Sequence, residues 1–222
     1  MKIVLFGGQS DMASAIAEVF NKKDCVVHML SKEEADVRDY SSIIRAVNYY
    51  KPDALINLAG ISHLQPILNS NSELWREEIE TNLIGSYNVA RVGAEKDLMM
   101  IFIGSVAGMY GKPDHSGYCA SKAGVISLVQ SLAMEKFNAY CISPGRVNTK
   151  MREKDFPGED PETRLSVEQI AGVVDDIFTG KYLPGDNVLI RKKGIHTYLK
   201  VDGGEPWKKW LQVGEPIYKG EQ

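Results

Sequence analysis

The chain has 222 residues, of which 44% are hydrophobic and 25% are charged. This composition is ordinary for a globular protein and excludes an intrinsically disordered one. The formal net charge is -3, which provides no general attraction to nucleic acid or to an anionic membrane. No apolar run reaches the roughly 18 residues that suggest a membrane span. We therefore expect a soluble, cytoplasmic protein with no nucleic-acid or membrane partner.

The three cysteines, Cys25, Cys119 and Cys141, are odd in number and have no paired spacing. A disulfide framework needs pairs, and a zinc site needs closely spaced ligands. Neither is predicted, and no metal site is expected.

Short apolar runs alternate with helical patterns along most of the chain. Unbroken apolar runs are typical of parallel strands that are covered on both faces. Such runs predict strands at residues 3–6, 25–30, 54–58, 99–103 and 139–142. Helical spacing occurs at residues 13–20, 43–47, 74–94 (one bent helix or two), 125–133 and 170–177. The alternation predicts an α/β fold with a doubly wound parallel sheet in three layers.

Two places break this alternation. Only residues 31–40 separate the second strand from the next helix, so that crossover is trimmed and has little room for a helix. Near the end, residues 187–191 and 195–201 flank Lys192-Lys193-Gly194, which predicts a C-terminal hairpin. With no repeat and no linker, a single domain over residues 1–222 is predicted.

The first strand leads into a glycine-rich turn, Gly7-Gly8-Gln9-Ser10-Asp11-Met12-Ala13, and then into a helix. Such a turn lets the backbone approach a phosphate and directs free helix N–H groups towards it. The segment does not match G-x-G-x-x-G, so a tight packing turn is an equal alternative. The carboxylate of Asp11 would repel a pyrophosphate, unless it caps the helix and points away.

A second pattern pairs Tyr118 with Lys122, which are four residues apart and so lie on one face of a helix. The pKa of a tyrosine in water is about 10. A unit charge about 4 Å away stabilises the phenolate by about 4 kcal/mol at an effective dielectric constant of about 20. Lys122 would thus lower the tyrosine's pKa into the range that general acid–base catalysis uses. Taken alone, the pair also fits an ordinary exposed helix.

Several motifs follow one another in an order that resembles the short-chain dehydrogenase/reductase family. The resemblance runs from about residue 3 to residue 204. Besides the glycine-rich turn, which lies where that family has T-G-x-x-x-G-x-G, the motifs are Asp36-Val37, Asn57-Leu-Ala-Gly60, Asn82 in Thr-Asn-Leu-Ile-Gly, Ser105 thirteen residues before Tyr118, Tyr118 with Lys122 as Y-x-x-x-K, Pro144-Gly145 with Thr149, and Val201-Asp-Gly-Gly204.

The resemblance implies a Rossmann-like, single-domain oxidoreductase that transfers hydride between a nicotinamide and a carbonyl or alcohol. Tyr118 would be the general acid and base, and Ser105 would hydrogen-bond the reacting oxygen. Lys122 would lower the tyrosine's pKa and hold the nicotinamide ribose. Asn82 would bind a water that relays protons towards Lys122.

The same resemblance implies where the dinucleotide binds. Asp36 would contact the adenine, and residues 144–149 would close over the nicotinamide. The implied cofactor-binding residues are Gly7, Gln9, Ser10, Asp11, Met12, Ser31, Lys32, Asp36, Val37, Asn57, Ala59, Gly60, Tyr118, Lys122, Pro144, Gly145, Val147 and Thr149. No acid precedes Glu33 at the end of the second strand, and Ser31 and Lys32 suit a 2′-phosphate, so NADP(H) is favoured over NAD(H).

The chain departs from the family pattern at four positions. Phe6 replaces a threonine, Asp11 and Ala13 replace glycines, and Leu58 replaces an asparagine. Of these, Asp11 bears most on pyrophosphate binding. The trimmed crossover leaves the adenine pocket more open.

The regions around the substrate are less specific. Residues 148–165 are polar and charged, and lie where the family has a substrate lid. The tail, residues 205–222, contains two tryptophans and would cover the site or a partner subunit. His63 and His115 are given no role. The resemblance implies a homodimer or homotetramer acting on a small carbonyl or alcohol, and no residue selects the substrate.

Two other functions remain open. A nucleotide-sugar epimerase or reductase shares Y-x-x-x-K but needs a C-terminal substrate domain, for which few residues remain. A non-catalytic nicotinamide sensor or scaffold is favoured by Asp11, although all four catalytic positions are present.

Overall fold

The structure is a computed structural model that describes residues 1–192 and 194–198. Over these residues the sheet has seven strands. The strands are β1 (Lys2–Phe6), β2 (Val26–Leu30), β3 (Ala54–Asn57), β4 (Met99–Ile103), β5 (Ala139–Pro144), β6 (Asn187–Arg191) and β7 (Gly194–Tyr198). Their order is β2-β1-β3-β4-β5-β6-β7, and β1 to β6 are parallel. The predicted Rossmann-like α/β sheet is confirmed.

Seven helices connect these strands. They are α1 (Asp11–Asn21), α2 (Tyr40–Tyr50), α3 (Ser72–Glu78), α4 (Gly85–Glu95), α5 (Ser116–Met134), α6 (Lys150–Asp155) and α7 (Val167–Phe178). Ile3 and Leu5 pack in one cluster with α1 and α7, whereas Val4 and Phe6 pack in another with α2, α4 and α5. Successive strand side chains point to opposite faces, so the unbroken apolar run of β1 reflects burial in both helical layers.

The crossover between β2 and α2 is trimmed, as predicted. Residues 31–39 form turns, and Asp39 caps α2 by accepting a hydrogen bond from the Ser41 N–H. Val37, in this segment, is only 4% exposed and belongs to the core cluster of β1, α2, α4 and α5. It packs so closely on Gly85 that a Cβ there would lie 2.6 Å from Val37 Cγ2.

The helical segment predicted at 74–94, as one bent helix or two, is a continuous run of helical turns whose winding changes in the middle. A π-helical turn, Ile79–Ile84, joins α3 to α4 without a break. Such turns insert an extra residue into a helix and often occur at functional sites. This turn contains Asn82, which is fully buried.

The C-terminal hairpin is present, with one change at its start. β7 pairs antiparallel with β6, and Gly194 already pairs with Arg191, so the strand begins one residue earlier than predicted. The end of the predicted strand, the Val201–Gly204 motif and the tail at 205–222 lie outside the described residues. Within the part that the structure describes, no helix is long and apolar enough to span a bilayer.

Candidate functional site

Two cavities open at the edge of the sheet where the parallel strands end, which is where α/β sheets bind ligands. Cavity A, of about 240 Å³, includes these predicted residues: Gly7, Gln9, Ser10, Ser31, Lys32, Asp36, Val37, Ala59 and Gly60. Cavity B, of about 120 Å³, includes Met12, Ser105, Tyr118, Pro144, Gly145, Val147 and Thr149. The start of α1 borders both cavities, through Ser10 in A and Met12 in B. Four predicted residues, Asp11, Asn57, Asn82 and Lys122, line neither cavity.

The glycine-rich turn lies tightly against its neighbours. Gly7 has a φ of +74°, and a Cβ there would lie 2.7 Å from the Ala59 nitrogen. Ser10 caps α1, because its Oγ accepts a hydrogen bond of 3.2 Å from the Ala13 N–H. Among the hydrogen bonds of the described residues, the N–H groups of Asp11 and Met12 have no acceptor. Free N–H groups at a helix start suit a phosphate, so the turn fits a dinucleotide.

The carboxylate of Asp11 is directed at the lid segment. Its Oδ2 accepts a 2.8 Å hydrogen bond from the Lys150 N–H, and its Oδ1 lies 4.0 Å from Lys150 Nζ. The alternative in which Asp11 caps α1 is wrong, because Ser10 is the cap. The carboxylate is held by the first residue of α6.

Ser105, Tyr118 and Lys122 meet where β4 ends and α5 begins. Ser105 follows β4 and accepts a 3.0 Å hydrogen bond from the Ala107 N–H, which fixes the short turn after the strand. Lys122 is 4% exposed, and its Nζ donates a 2.8 Å hydrogen bond to the Ile103 carbonyl. The same Nζ lies 5.6 Å from the centre of the Tyr118 ring. The tyrosine and serine thus face cavity B, and the ammonium lies behind them.

Burial has the largest effect on the pKa values of Tyr118 and Lys122. It raises the pKa of Tyr118 to about 12, although hydrogen bonding with the Ser105 side chain acts in the opposite direction. It lowers the pKa of Lys122 to about 8. In the protein alone, the pKa of Tyr118 therefore lies above its ordinary value and not below it, where the charge of Lys122 was expected to place it. An ammonium that is hydrogen-bonded to a carbonyl does not offset the cost of burying a phenolate.

Asn82 joins the loop after β3 to α5. Its Oδ1 accepts from the Ile61 N–H at 2.8 Å, and its Nδ2 donates to the Ile61 carbonyl at 2.9 Å and to Ser121 Oγ at 3.0 Å. A Cβ at Gly60 would lie 3.3 Å from Asn82 Oδ1 and 3.4 Å from Lys122 Nζ. The asparagine and the lysine therefore border the same glycine.

Asn57 shapes the same loop instead of facing a ligand. Its Nδ2 donates to Ser86 Oγ at 3.1 Å, and its Oδ1 accepts from the Ala59 N–H at 3.1 Å. The residue is only 2% exposed. Both polar groups of its side chain are therefore used within the protein.

In cavity A, Asp36 is paired with a residue that the sequence analysis missed. Arg38 Nε lies 3.0 and 3.1 Å from the two carboxylate oxygens of Asp36, and the Arg38 N–H donates to Oδ1 at 2.9 Å. The hydrogen bonds from Arg38 lower the pKa of Asp36. The two residues are only two positions apart in a segment without a helix. Their opposite charges and this short spacing were the signal that could have predicted the pair.

Ser31 and Lys32, the residues predicted to bind a 2′-phosphate, are next to two acids. The Ser31 N–H donates a 2.8 Å hydrogen bond to Glu34 Oε2. The pKa of Glu33 is lowered by its own backbone N–H and then by the Ser31 side chain. Lys32 is exposed.

The predicted lid folds over cavity B and is internally tied. Thr149 caps α6 by accepting from the Arg152 N–H at 3.2 Å. Arg164, 4% exposed, donates to the carbonyl oxygens of Phe156 and Glu159. The Phe156 ring is stacked on the His115 ring with centroids 5.8 Å apart.

One buried acid near the site escaped the sequence analysis. Glu78 is 1% exposed, and its Oε1 accepts a 2.7 Å hydrogen bond from the His63 N–H. Burial raises the pKa of this carboxyl group. Glu78 lies four residues before Asn82, so the two side chains lie on about the same face of the helix. This spacing was the signal that could have placed Glu78 near the site.

Comparisons with known proteins agree with this arrangement. Residues 1–160 match the family described as short chain dehydrogenase. The chain is 28% identical to an NAD-dependent glycerol dehydrogenase of Listeria innocua over 70% of this chain and 74% of that protein. It is 33% identical to the 3-oxoacyl-[acyl-carrier-protein] reductase FabG of Thermotoga maritima, over 53% of this chain and 51% of the reductase. It is 26% identical to FabG of Staphylococcus aureus (strain Mu50), over 90% of this chain and 86% of that protein.

A solved structure supports the fold alone. The ribose-5-phosphate isomerase of Brucella melitensis 16M aligns with a TM-score of 0.76 at 23% identity, and the alignment covers 85% of this chain and 90% of that one. The family match spans well over half of the chain and includes the glycine-rich turn, Ser105, Tyr118 and Lys122. The chain therefore belongs to the short-chain dehydrogenase/reductase family of nicotinamide-dependent oxidoreductases.

Proposed function

We propose that this protein transfers hydride reversibly between a nicotinamide dinucleotide and a small carbonyl or alcohol substrate, with the CH–OH group as the donor in the oxidative direction. The observation that carries the proposal is that Ser105 and Tyr118 line one cavity while Lys122 Nζ lies 5.6 Å from the tyrosine ring. That cavity also borders Met12, in the first turn of the helix that follows the glycine-rich turn.

The two cavities fit the two ends of a dinucleotide. Adenosine would occupy cavity A beside Asp36 and Val37, and the nicotinamide would occupy cavity B beside Pro144, Gly145, Val147 and Thr149. The free N–H groups at the start of α1, which borders both cavities, would hold the phosphates. When bound, the nicotinamide supplies or accepts the hydride.

The protein's own residues would manage the proton and the developing charge. In reduction, Tyr118 gives its phenolic proton to the carbonyl oxygen as hydride reaches the carbon, and an alcohol forms. Burial keeps the phenol protonated until that moment, because it raises the pKa to about 12. Ser105 hydrogen-bonds the same oxygen. Lys122 would hold the ribose. Asn82, whose side-chain amide bonds Ile61 and Ser121, borders the same glycine as Lys122 and would position the water that returns a proton towards the lysine.

The test replaces the phenol and screens substrates. We expect Tyr118→Phe to lower kcat by about 100- to 10,000-fold, the range for a lost general acid, while the dinucleotide still binds. Absorbance of the reduced nicotinamide, measured across a panel of ketones and alcohols, reports turnover. Tyr49→Phe, at an 80% exposed position of α2, is the control. Dinucleotide binding without turnover by the wild type would favour the sensor alternative.

For the cofactor, we propose a preference for NADP(H). Position 31, directly after β2, holds a serine and not an acid that would repel a 2′-phosphate. The exposed Lys32 would neutralise that phosphate. We expect NADPH to bind more tightly than NADH, and Lys32→Ala to weaken only NADPH. Tighter binding of NADH than of NADPH would refute the preference.

We also propose a cytoplasmic homodimer or homotetramer with one domain over residues 1–222. The three cysteines are free thiols, as a reducing compartment would keep them. Ile84, Tyr87 and Met134 are exposed apolar side chains on the π turn, α4 and α5, and support association through these helices. A light-scattering mass of one subunit would contradict the oligomer.

A further inference from the structure

Lys112 places a positive charge at cavity B that no protein acid neutralises. It lies in the loop between Ser105 and Tyr118 and lines the same cavity. Within the described residues, no hydrogen bond or ion pair reaches its ammonium. Its Nζ lies 6.0 Å from the centre of the Tyr110 ring. The Arg191 guanidinium lies 5.8 Å from that ring centre and donates to Tyr110 Oη at 3.2 Å. One aromatic ring therefore holds two cations close together.

Three arginines around one acid add positive charge to this wall. Glu159 is shared by three guanidiniums: Arg146 Nε lies 3.2 Å away, Arg152 Nε 2.7 Å and Arg164 Nε 3.1 Å. One carboxylate balances one of these three charges. Arg146 and Arg152 both line cavity B, so this cluster, and not the lid as a whole, adds positive charge to the cavity.

The opposing charge is small. Asp155 is the one acid that lines cavity B within residues 1–192 and 194–198, against Lys112, Arg146 and Arg152. The pKa of Lys112 is lowered, first by burial and then by Arg152, while the nearby Cys119 has a weaker opposite effect. Like charges crowded in a partly buried cavity attract a small anion, because field lines concentrate in a low-dielectric cleft.

We infer that the substrate of the proposed reaction carries a carboxylate or a phosphate that Lys112 binds, with Arg146 beside it, while its carbonyl group lies against Tyr118 and Ser105. The inference rests on the proposed function and deepens it. The substrate is therefore an oxo acid or a phosphorylated carbonyl compound.

The experiment compares charged substrates with neutral counterparts. Pyruvate, acetoacetate and levulinate vary the distance between carbonyl and carboxylate, and each is measured beside its methyl ester. Dihydroxyacetone phosphate is measured beside dihydroxyacetone. We expect at least one anion to exceed its neutral counterpart in kcat/KM by about 10- to 100-fold, the range of a charge-assisted hydrogen bond. The pair that shows the preference distinguishes carboxylate from phosphate.

Variants then locate the charge. We expect Lys112→Gln to raise KM for the preferred anion by about tenfold or more, with a smaller effect on kcat and none on the neutral compound. Lys112→Arg should keep the preference, which shows that the loop still folds. Lys154→Gln removes an exposed charge from α6 that does not line the cavity, and should change neither substrate.

Failure of this inference and failure of the proposed function give different results. If neutral ketones are reduced as well as the anions, or if Lys112→Gln harms both alike, the inference is wrong and the function stands. If no compound is turned over, calorimetry with oxidised dinucleotide present compares the binding of each anion with its neutral partner. If an anion then binds more tightly than its neutral partner, and this difference needs Lys112, the anion site is supported although the proposed reaction is not. Equal or absent binding overturns both.

Discussion

The Oδ2 atom of Asp11 accepts a 2.8 Å hydrogen bond from the backbone N–H of Lys150. This bond joins the first residue of α1 to the first residue of α6. It thereby connects the glycine-rich turn to the predicted lid over cavity B. The charge of Asp11 is unfavourable beside a pyrophosphate, but its carboxylate has a defined partner in the Lys150 N–H.

Two substitutions at Asp11 separate its charge from its hydrogen bond. We expect Asp11→Asn to bind the dinucleotide several-fold more tightly, because the amide oxygen keeps the bond and the negative charge is gone. We expect Asp11→Ala to speed hydrogen exchange at the Lys150 amide by about 2- to 12-fold, equivalent to about 0.5–1.5 kcal/mol. Glu153→Gln, an acid in the same lid helix, is the control. Unchanged exchange in Asp11→Ala would show that the bond does not hold the lid.

Dinucleotide binding should depend on pH through Lys122. Burial lowers the pKa of this lysine to about 8, so the ammonium that would hold the ribose loses its proton above that pH. We expect the Kd to rise up to about tenfold per pH unit above 8. Fluorescence titrations between pH 6.5 and 9.5 measure it. The dependence should vanish in Lys122→Met and persist in Lys112→Met; the reverse result would assign the titration to Lys112.

Glu78 should destabilise the fold at neutral pH. Burial raises its pKa, so the folded protein keeps a proton that the unfolded chain loses above about pH 4.5. Stability from this group is complete below that pH and is lost as the pH rises through the folded pKa. Glu78→Gln keeps an acceptor for the His63 N–H without the charge. We expect its Tm to equal that of the wild type near pH 4 and to exceed it at pH 7, whereas the exposed Glu80→Gln should show no such trend.

A pair of glycines tests the contact between the Ser105 turn and α5. A Cβ at Gly108 would lie 2.6 Å from the backbone carbon of Lys122, so Gly108→Ala must displace α5 or the turn. We expect kcat to fall by about tenfold or more, because small misplacements of reacting groups are costly. Gly111→Ala is the matched control, since nothing lies within 4 Å of that position. Equal activity of both variants would show that this contact does not position Ser105 and Tyr118.

The sequence predicted the sheet well because its central strands are buried on both faces. The runs at β1, β3 and β4 are apolar and bounded by turns, so composition alone marks them. The π turn was missed because Ile79–Ile84 continues the apolar pattern of the flanking helices, and one extra residue does not change that pattern visibly.

At the candidate site, local spacing was informative and long-range contacts were not. Tyr118 and Lys122 share one helix turn, so their proximity follows from helix geometry. The bonds of Asp11 to Lys150 and of Arg146 to Glu159 depend on how the lid docks, which no local pattern encodes. The buried Glu78 resembles any exposed helical acid until its neighbours are known. Composition gave no indication that burial, and not Lys122, would dominate the titration of Tyr118.

The π turn also shows where the chain can change length. Because this turn holds one more residue than the α-helical turn it replaces, removing one residue between Ile79 and Ile84 would return the segment to regular α-helix while α3 and α4 keep their register. Glu78 would still reach the His63 N–H, whereas the wide turn that carries Asn82 would be lost. A one-residue deletion elsewhere in α3 or α4 would instead rotate one part of the helix against the other by about 100°.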